Sequence, residues 1–260
     1  MIERQTASGE PWPLPMSVST RNALVTGGIT DIALAAAGRL AKQGHRVILT
    51  HFEDQAPEKL ASQFADARME IAFERVDPAN ATAISDFFAR LAQMDREPDF
   101  LINAADVRRE APLASLDVVD FDSLLVANLR AVVLSCQQAV KGMIRRGFGR
   151  IINFTSPAAV LGSEGQVAYA SSKAGVLGLT RALARELGRF GITVNAISPG
   201  PVRTQMTSEL SPERMKELVR HIPLRRLGTA EEIAGMIAML CDEKAGYITG
   251  QCLGIDGGLS

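Results

Sequence analysis

Tyr169 and Lys173 stand four residues apart in the segment Tyr-Ala-Ser-Ser-Lys, which opens a long stretch with helical apolar periodicity. Side chains with this spacing lie on one face of a helix. A lysine ammonium beside a phenol favours the phenolate, so we expect Lys173 to lower the pKa of Tyr169 towards the range of a general acid or base. The alternative for this spacing alone is a half-buried tyrosine with a lysine that reaches to solvent.

Ser156 adds a hydroxyl that could act with this pair. It follows the apolar run Ile-Ile-Asn-Phe at 151–154, which predicts a buried strand. A hydroxyl at the end of that strand could hold the oxygen of a substrate carbonyl beside the Tyr169 phenol. The three side chains together suggest proton transfer to or from a carbonyl or alcohol oxygen.

The composition is that of an ordinary soluble globular protein, with 260 residues, 47% of them hydrophobic and 22% charged. A net charge of -1 gives no electrostatic case for a nucleic-acid or membrane partner. No apolar run reaches the ~20 residues that a membrane-spanning helix needs. The 3 cysteines suit neither a zinc site nor a disulfide framework. We therefore expect no metal site and a cytoplasmic location.

The order of the patterns along the chain indicates its fold. Residues 1–19 are rich in proline and lack the apolar core of a signal peptide, so we expect a flexible tail there. Strand-like and helix-like patterns then alternate over 20–260, including a helix at 57–67. Short, continuously apolar strands alternating with helices predict one α/β domain, a Rossmann-type doubly wound parallel sheet with helices on both faces. Its ligand crevice should lie at the carboxyl ends of the strands.

Several predicted strands end in residues that could contact a dinucleotide. Thr26 and Gly27 precede a helix that begins near Ile32, where a pyrophosphate would meet a helix N-terminus; a plain strand–helix connection is the alternative. Asp77 could accept a hydrogen bond from an adenine amino group or form an ordinary turn. Asn103 could fix backbone groups beside a cofactor or cap its strand.

Later in the chain, Asn128 lies inside an apolar helical segment, either as a helix-bending group or as part of a hydrogen-bond relay. The sixth predicted strand ends at Pro199 and Gly200, whose backbone could cover a nicotinamide ring or form a bare turn. The polar, amphipathic segment 202–222 is expected to be a lid, with a helix start at Ser211.

These residues together resemble the short-chain dehydrogenase/reductase family, from Arg21 to Leu259. The likeness rests on ordered positions along the chain: Thr26-Gly27, Asp77, Asn103, Asn128, Ser156, Tyr169, Lys173, Asn195, Pro199-Gly200, Thr204, Gly250 and Asp256-Gly257-Gly258. The texture is most similar to the 3-oxoacyl-acyl-carrier-protein reductase group, as in Gly191-Ile-Thr-Val-Asn195 and Pro223-Leu-x-Arg226-x-Gly228. Sugar, polyol and steroid dehydrogenases share much of it.

The resemblance implies catalytic roles for four residues. Tyr169 would protonate the carbonyl as hydride arrives, and Lys173 would lower the Tyr169 pKa and bind the nicotinamide ribose. Ser156 would orient the carbonyl, and Asn128 would hold a water that links Lys173 to a proton relay. Cofactor contacts are implied for Thr26, Gly27, Ile32, Thr50, His51, Asp77, Asn103, Ala104, Tyr169, Lys173, Pro199, Gly200, Val202 and Thr204. A mobile lid and a homodimer or homotetramer are implied as well.

Cofactor choice depends on the end of the second predicted strand, Leu-Thr-His-Phe at 49–52. It lacks the acid that would grip a ribose 2′-hydroxyl, which favours NADP(H) over NAD(H). His51 could approach a 2′-phosphate or be a solvated loop residue. A 3-oxoacyl thioester is the expected substrate, with a sugar or polyol as the alternative. An acyl-carrier protein, being acidic, would need basic clusters such as Arg145, Arg146 and Arg150 or Arg181, Arg185 and Arg189.

Three residues depart from the family patterns Thr-Gly-x-x-x-Gly-x-Gly and Asn-Asn-Ala-Gly. Asp31, Ala33 and Asp106 stand where these patterns have glycine. Asp31 would place a carboxylate where a pyrophosphate belongs; like charges ~4 Å apart at a partly exposed site repel by about 4 kcal/mol. As an N-cap, it would also compete for the N–H groups that a phosphate needs. A non-catalytic binding or assembly protein is therefore the competing hypothesis.

Overall fold

The structure, a computed structural model, describes residues 20–52, 64 and 69–260. The predicted tail at 1–19 lies outside the described residues, as does the predicted helix at 57–67 apart from its residue 64.

Seven parallel strands form one sheet in the order β3-β2-β1-β4-β5-β6-β7. In chain order they are β1 (Asn22–Thr26), β2 (Arg46–His51), β3 (Ile71–Arg75), β4 (Phe100–Asn103), β5 (Gly149–Phe154), β6 (Ile192–Pro199) and β7 (Cys252–Ile255). The order reverses between β1 and β4, and ligands of such sheets bind in the crevice at that point. The predicted doubly wound parallel sheet is confirmed.

Helices cover both faces of the sheet. They are α1 (Asp31–Lys42), α2 (Ala81–Gln93), α3 (Val118–Leu125), α4 (Ala131–Arg146), α5 (Ala158–Leu161), α6 (Val167–Leu187), α7 (Gln205–Ser208), α8 (Pro212–His221) and α9 (Ala230–Cys241). Helices α1 and α9 pack on one face, and α2, α4 and α6 on the other. Within the described ranges, no helix is long and apolar enough to cross a membrane.

The central strands are apolar on both sides because both sides are covered. In β4, Leu101 packs into the cluster beneath α2 and α4, whereas Ile102 packs into the cluster beneath α1 and α9. Ile151 and Ile152 divide in the same way in β5. Burying each such side chain is worth about 1.5–3 kcal/mol. This packing holds the carboxyl ends of β4 and β5 in place, where the candidate site lies.

The predicted lid segment forms two short helices, α7 and α8. Ser211 caps α8 by accepting a hydrogen bond from the Arg214 N–H at 3.3 Å, and Pro212 is the first helical residue, which confirms the predicted helix start. Val202, the first residue of this segment, is buried and pairs with Gly228. Movement of this segment as a lid stays a prediction.

Candidate active site

A chain of hydrogen-bonded polar side chains joins the carboxyl ends of the central strands. The Thr26 hydroxyl donates to Asn103 Oδ1 at 3.0 Å, and Asn103 Nδ2 donates to Asn153 Oδ1 at 2.8 Å. Asn153 Nδ2 in turn donates to the Thr180 hydroxyl of α6 at 3.0 Å. Asn103 therefore bonds neighbouring side chains rather than merely capping its strand. Asn153 was missed as a site residue, although an amide within an apolar strand signals such a network.

The turn after β1 is shaped by close backbone approach. A Cβ on Gly27 would lie 2.2 Å from the Ala105 nitrogen, so only glycine fits where the loop after β4 crosses. Gly28 also has positive φ, but nothing lies within 4 Å of a Cβ built there. The Ala104 N–H donates to the Thr26 backbone oxygen at 2.8 Å, which joins the carboxyl ends of β1 and β4.

The start of α1 corrects one expectation. Thr30, not Asp31, is the N-cap, and its hydroxyl accepts from the Ala33 N–H at 3.2 Å. Asp31 is the first helical residue and is exposed, so its carboxylate still lies in the first turn. Ile32 is half-buried and packs against the core beneath α1. The predicted competition for backbone N–H groups therefore comes from Thr30.

The end of β2 meets the same turn. The Gly28 N–H donates to the Thr50 oxygen at 3.2 Å. Thr50 and His51 are both buried, and His51 is the last residue of β2. The expectation of a solvated loop histidine is therefore wrong.

Other predicted cofactor positions occupy the same sheet edge. Asp77 Oδ1 accepts from the Ala79 N–H at 2.8 Å, which is the ordinary turn that the sequence allowed. Gly200 follows the strand end at Pro199, and its Cβ would lie 2.6 Å from the Asp256 Cα, so this is a tight crossing and not a bare turn. Thr204 caps α7 in a capping box.

Ser156, Tyr169 and Lys173 converge at the carboxyl end of β5. Tyr169 is the third residue of α6, and the Lys173 Nζ lies 5.7 Å from the centre of the Tyr169 ring. The Thr155 hydroxyl donates to the Lys173 backbone oxygen at 3.0 Å, which fixes α6 against the end of β5. The Ser156 hydroxyl accepts from the Ala158 N–H at 3.3 Å, and it lies near enough to the Tyr169 phenol to oppose the rise of the phenol pKa. The structure thus brings the three predicted side chains together.

The Asp106 carboxylate contacts both Tyr169 and Lys173. The Tyr169 hydroxyl donates to Asp106 Oδ1 at 2.6 Å, and the Lys173 Nζ lies 3.2 Å from the same oxygen. The Lys173 Nζ also donates to the Ala105 backbone oxygen at 2.6 Å. Arg108 donates twice to Asp106 Oδ2, at 2.7 and 3.0 Å. Asp106 was expected to face a cofactor; the structure pairs it with the proposed catalytic residues.

The electrostatics reverse the expected direction for the phenol. Burial, followed by the charge of Asp106, raises the pKa of Tyr169. Burial also lowers the pKa of Lys173, although Asp106 opposes this change. Burial alone would raise the pKa of Asp106, but Lys173 and Arg108 together bring it below its usual range. The expectation of a lowered Tyr169 pKa is therefore wrong in this conformation, because burial and the Asp106 charge both raise it.

Asn128 lies in a π-helical segment, Val126–Arg130, between α3 and α4. Its Nδ2 donates to the Val107 oxygen at 2.7 Å, and its Oδ1 accepts from the Val107 N–H at 2.9 Å. The Nδ2 also lies 3.3 Å from the Ser172 hydroxyl. Asn128 is fully buried and lies where the regular α-helix is interrupted by a π-helical turn. Its side chain holds the backbone of the loop that carries Asp106.

Comparisons with known proteins show which family this chain is similar to. The family model described as enoyl-(acyl carrier protein) reductase matches residues 28–260. A 3-oxoacyl-(acyl-carrier-protein) reductase of Aquifex aeolicus is 33% identical over 91% of this chain and 96% of its own. An acetoacetyl-CoA reductase of Allochromatium vinosum is 38% identical over 92% and 98%. A solved structure of a protein described as a gluconate dehydrogenase, from Agrobacterium tumefaciens, is 30% identical with a TM-score of 0.88, over 92% and 95%.

The chain belongs to the short-chain dehydrogenase/reductase family. It is an oxidoreductase by this membership. The sheet edge fits the dinucleotide that such a fold implies at one end, because Gly28 leaves open space beside the N-terminus of α1. At the other end, the hydrogen-bonding groups of Lys173 and Tyr169 already hold Asp106. The site therefore fits a cofactor, but the Asp106 carboxylate competes with it for Lys173 and Tyr169.

The arginine clusters differ in what they offer a partner. Arg150 is buried, and Arg145 and Arg146 both pair with Glu97, so this cluster is not a free basic patch. The second cluster is exposed: Arg181 and Arg185 lie on α6, and Arg189 lies in the 3₁₀ turn Gly188–Phe190 that follows it.

Proposed function

We propose that this chain is an NADPH-dependent reductase of 3-oxoacyl thioesters. The observation that carries the proposal is the convergence of Ser156, Tyr169 and Lys173 at the end of β5, on a fold whose ligand crevice opens at the strand ends. The choice of substrate follows two relatives, which are named for reduction of a 3-oxoacyl carrier-protein thioester and of acetoacetyl-CoA.

Each of the three side chains has a distinct task in this proposal. A nicotinamide cofactor supplies the hydride when bound. The Tyr169 phenol gives its proton to the carbonyl oxygen, and the Ser156 hydroxyl holds that oxygen beside the phenol. Lys173 then stabilises the resulting phenolate by its positive charge, which requires that Asp106 no longer compensate that charge. Asn128 holds the neighbouring Val107 backbone.

NADPH is the proposed form of the cofactor. Over 49–52, at the end of β2, the side chains are Leu, Thr, His and Phe, without a carboxylate that would bind a ribose 2′-hydroxyl. His51, the last residue of β2, is buried. The proposal includes a homodimer or homotetramer, and an acyl-carrier protein that binds through the exposed basic cluster on and just after α6: Arg181, Arg185 and Arg189.

A second candidate is a sugar-acid or polyol dehydrogenase. The likeness to the protein described as a gluconate dehydrogenase, with a TM-score of 0.88, favours it. The same Tyr169 would then act as a base towards an alcohol. The proton-transfer groups are common to both candidates, so only substrate turnover separates them.

The experiment measures NADPH and NADH binding to the purified full chain by nicotinamide fluorescence, then turnover of acetoacetyl-CoA with NADPH and of gluconate with NADP+ and NAD+. We expect NADPH binding and thioester reduction. Tyr169→Phe should lower kcat by about 100-fold or more, since positioned proton transfer contributes that much. Tyr247→Phe is the matched control, because Tyr247 is fully exposed. Gluconate turnover alone would favour the second candidate, and no dinucleotide binding would refute both.

A further inference from the structure

The loop after β4 closes over the catalytic pair. Tyr169 is 1% exposed and Lys173 is 0% exposed, although a substrate must reach both. The covering residues are Ala105, Asp106 and Arg108, which follow the strand directly. A buried phenol and a buried ammonium without water need partners from the protein. This loop supplies the Asp106 carboxylate and the Ala105 backbone oxygen, and the Phe154 backbone oxygen of β5 also accepts from the Lys173 Nζ at 3.3 Å.

Asp106 satisfies both groups with one oxygen. Its Oδ1 accepts from the Tyr169 hydroxyl at 2.6 Å and lies 3.2 Å from the Lys173 Nζ. A reacting carbonyl oxygen would need the same phenol proton, and a cofactor hydroxyl the same ammonium. Arg108 braces the other carboxylate oxygen and lies 5.1 Å above the Tyr169 ring. Both carboxylate oxygens therefore have partners: Oδ1 contacts Tyr169 and Lys173, and Oδ2 contacts Arg108.

The backbone of the loop is anchored at two points, Val107 and Ala111. Asn128 holds the Val107 N–H and oxygen at 2.9 and 2.7 Å. Further on, the Ala111 N–H donates to the Gly165 oxygen at 2.8 Å. The short stretch between β4 and these anchors therefore has a defined closed position in the free protein.

We propose that residues 105–108, here named the Asp106 plug, are an internal inhibitory element that covers Tyr169 and Lys173 until a bound ligand displaces it. The plug itself stands on the contacts above, whereas its displacement by NADPH rests on the proposed function. Displacement exchanges the Asp106 contacts of Lys173 and Tyr169 for contacts with the ligand. It also removes the carboxylate that compensates the ammonium, so the open form is the one in which Lys173 can act on the phenol.

The first test reads the plug in the free protein. The chain has 2 tyrosines, so in a Tyr247→Phe background the tyrosinate absorbance reports Tyr169 alone. Asp106→Asn should lower the titration midpoint of Tyr169 by about one pH unit or more, because a carboxylate in contact with the phenol is replaced by a neutral amide. Glu110→Gln is the matched control, since it removes a charge from the same loop without contacting Tyr169. An unchanged midpoint in Asp106→Asn would overturn the plug.

The second test measures competition with the cofactor. Asp106→Asn should bind NADPH about tenfold or more tightly than the parent, because a hydrogen bond to a charged group no longer has to be broken. Arg108→Gln should give a smaller gain, since it loosens the brace but keeps the carboxylate. If circular dichroism shows that Asp106→Asn is unfolded, the titration and the NADPH binding measurement are made with Arg108→Gln and Asp106→Gly instead. A lowered midpoint with unchanged NADPH affinity would overturn displacement by the cofactor. Absence of NADPH and NADH binding in every variant would refute the proposed function, and the titration would still decide whether the plug exists.

Discussion

Replacing Gly27 by alanine should destabilise the protein more than the same change at Gly28. Both residues have positive φ, 109° and 97°, which costs an L residue about 1–2 kcal/mol. At Gly28 nothing lies within 4 Å of the new Cβ, so this strain is the whole expected effect. At Gly27 the Cβ would lie 2.2 Å from the Ala105 nitrogen and 2.4 Å from the Ala104 carbonyl carbon. Overpacking of this kind adds about 1–3 kcal/mol.

The assay is urea unfolding of the parent protein, Gly27→Ala and Gly28→Ala at one protein concentration, monitored by circular dichroism. We expect a loss of about 2–5 kcal/mol for Gly27→Ala and about 1–2 kcal/mol for Gly28→Ala, seen as lower midpoints with unchanged m values. Equal losses would refute the inference that backbone contact with Ala105 selects glycine at this turn.

The same pair of variants also reports on the active site. Ala105 accepts the Lys173 hydrogen bond at 2.6 Å, so pushing its backbone away should loosen the contact between Asp106 and the phenol. The Tyr169 titration midpoint should therefore fall in Gly27→Ala and stay unchanged in Gly28→Ala. The same midpoint in both variants would show that the turn and the plug are independent.

Two further predictions concern stability. Folding raises the pKa of Tyr169, so the unfolded chain loses this proton first and stability falls as pH rises above about 10, by up to about 1.4 kcal/mol per pH unit. Tyr169→Phe should reduce this alkaline slope in urea unfolding at several pH values, and an identical slope in both proteins would contradict the cause. Asn128→Ala should cost about 2–4 kcal/mol, because it leaves both Val107 backbone groups unpaired. Asn80→Ala, which removes only the cap of α2, should cost about 1 kcal/mol, and equal costs would contradict the anchor.

Much of the fold was predictable from local sequence. The apolar run at 151–154 placed β5 within two residues of its observed start at Gly149. Ser211 before a proline predicted where α8 begins, because the cap and the proline act within one turn. Asn128 was recognised as anomalous in an apolar helix, but its π-helical surroundings and its bonds to Val107 depend on a loop that is distant in sequence.

The charges and caps around the site depend on contacts that short sequence patterns do not specify. The spacing of Tyr169 and Lys173 correctly implied that both side chains lie on one face of a helix. The predicted direction of the Tyr169 pKa was wrong because burial, and after it the charge of Asp106 from a distant part of the chain, raise this pKa. Asp31 was expected to be the helix cap, but Thr30 takes that place, since its extended backbone aims its hydroxyl at the Ala33 N–H.

The sequence by itself determined the strand and helix pattern, the parallel sheet and the residues with proton-transfer chemistry, because these depend on periodicity and on short spacings. Only the tertiary structure decided what surrounds that chemistry. Gly27 lets the loop after β4 cross at backbone contact, and this crossing brings Asp106 onto Tyr169 and Lys173. The protonation preference of a buried phenol is set by every charge within a few ångströms, and those charges come from segments that only folding brings together.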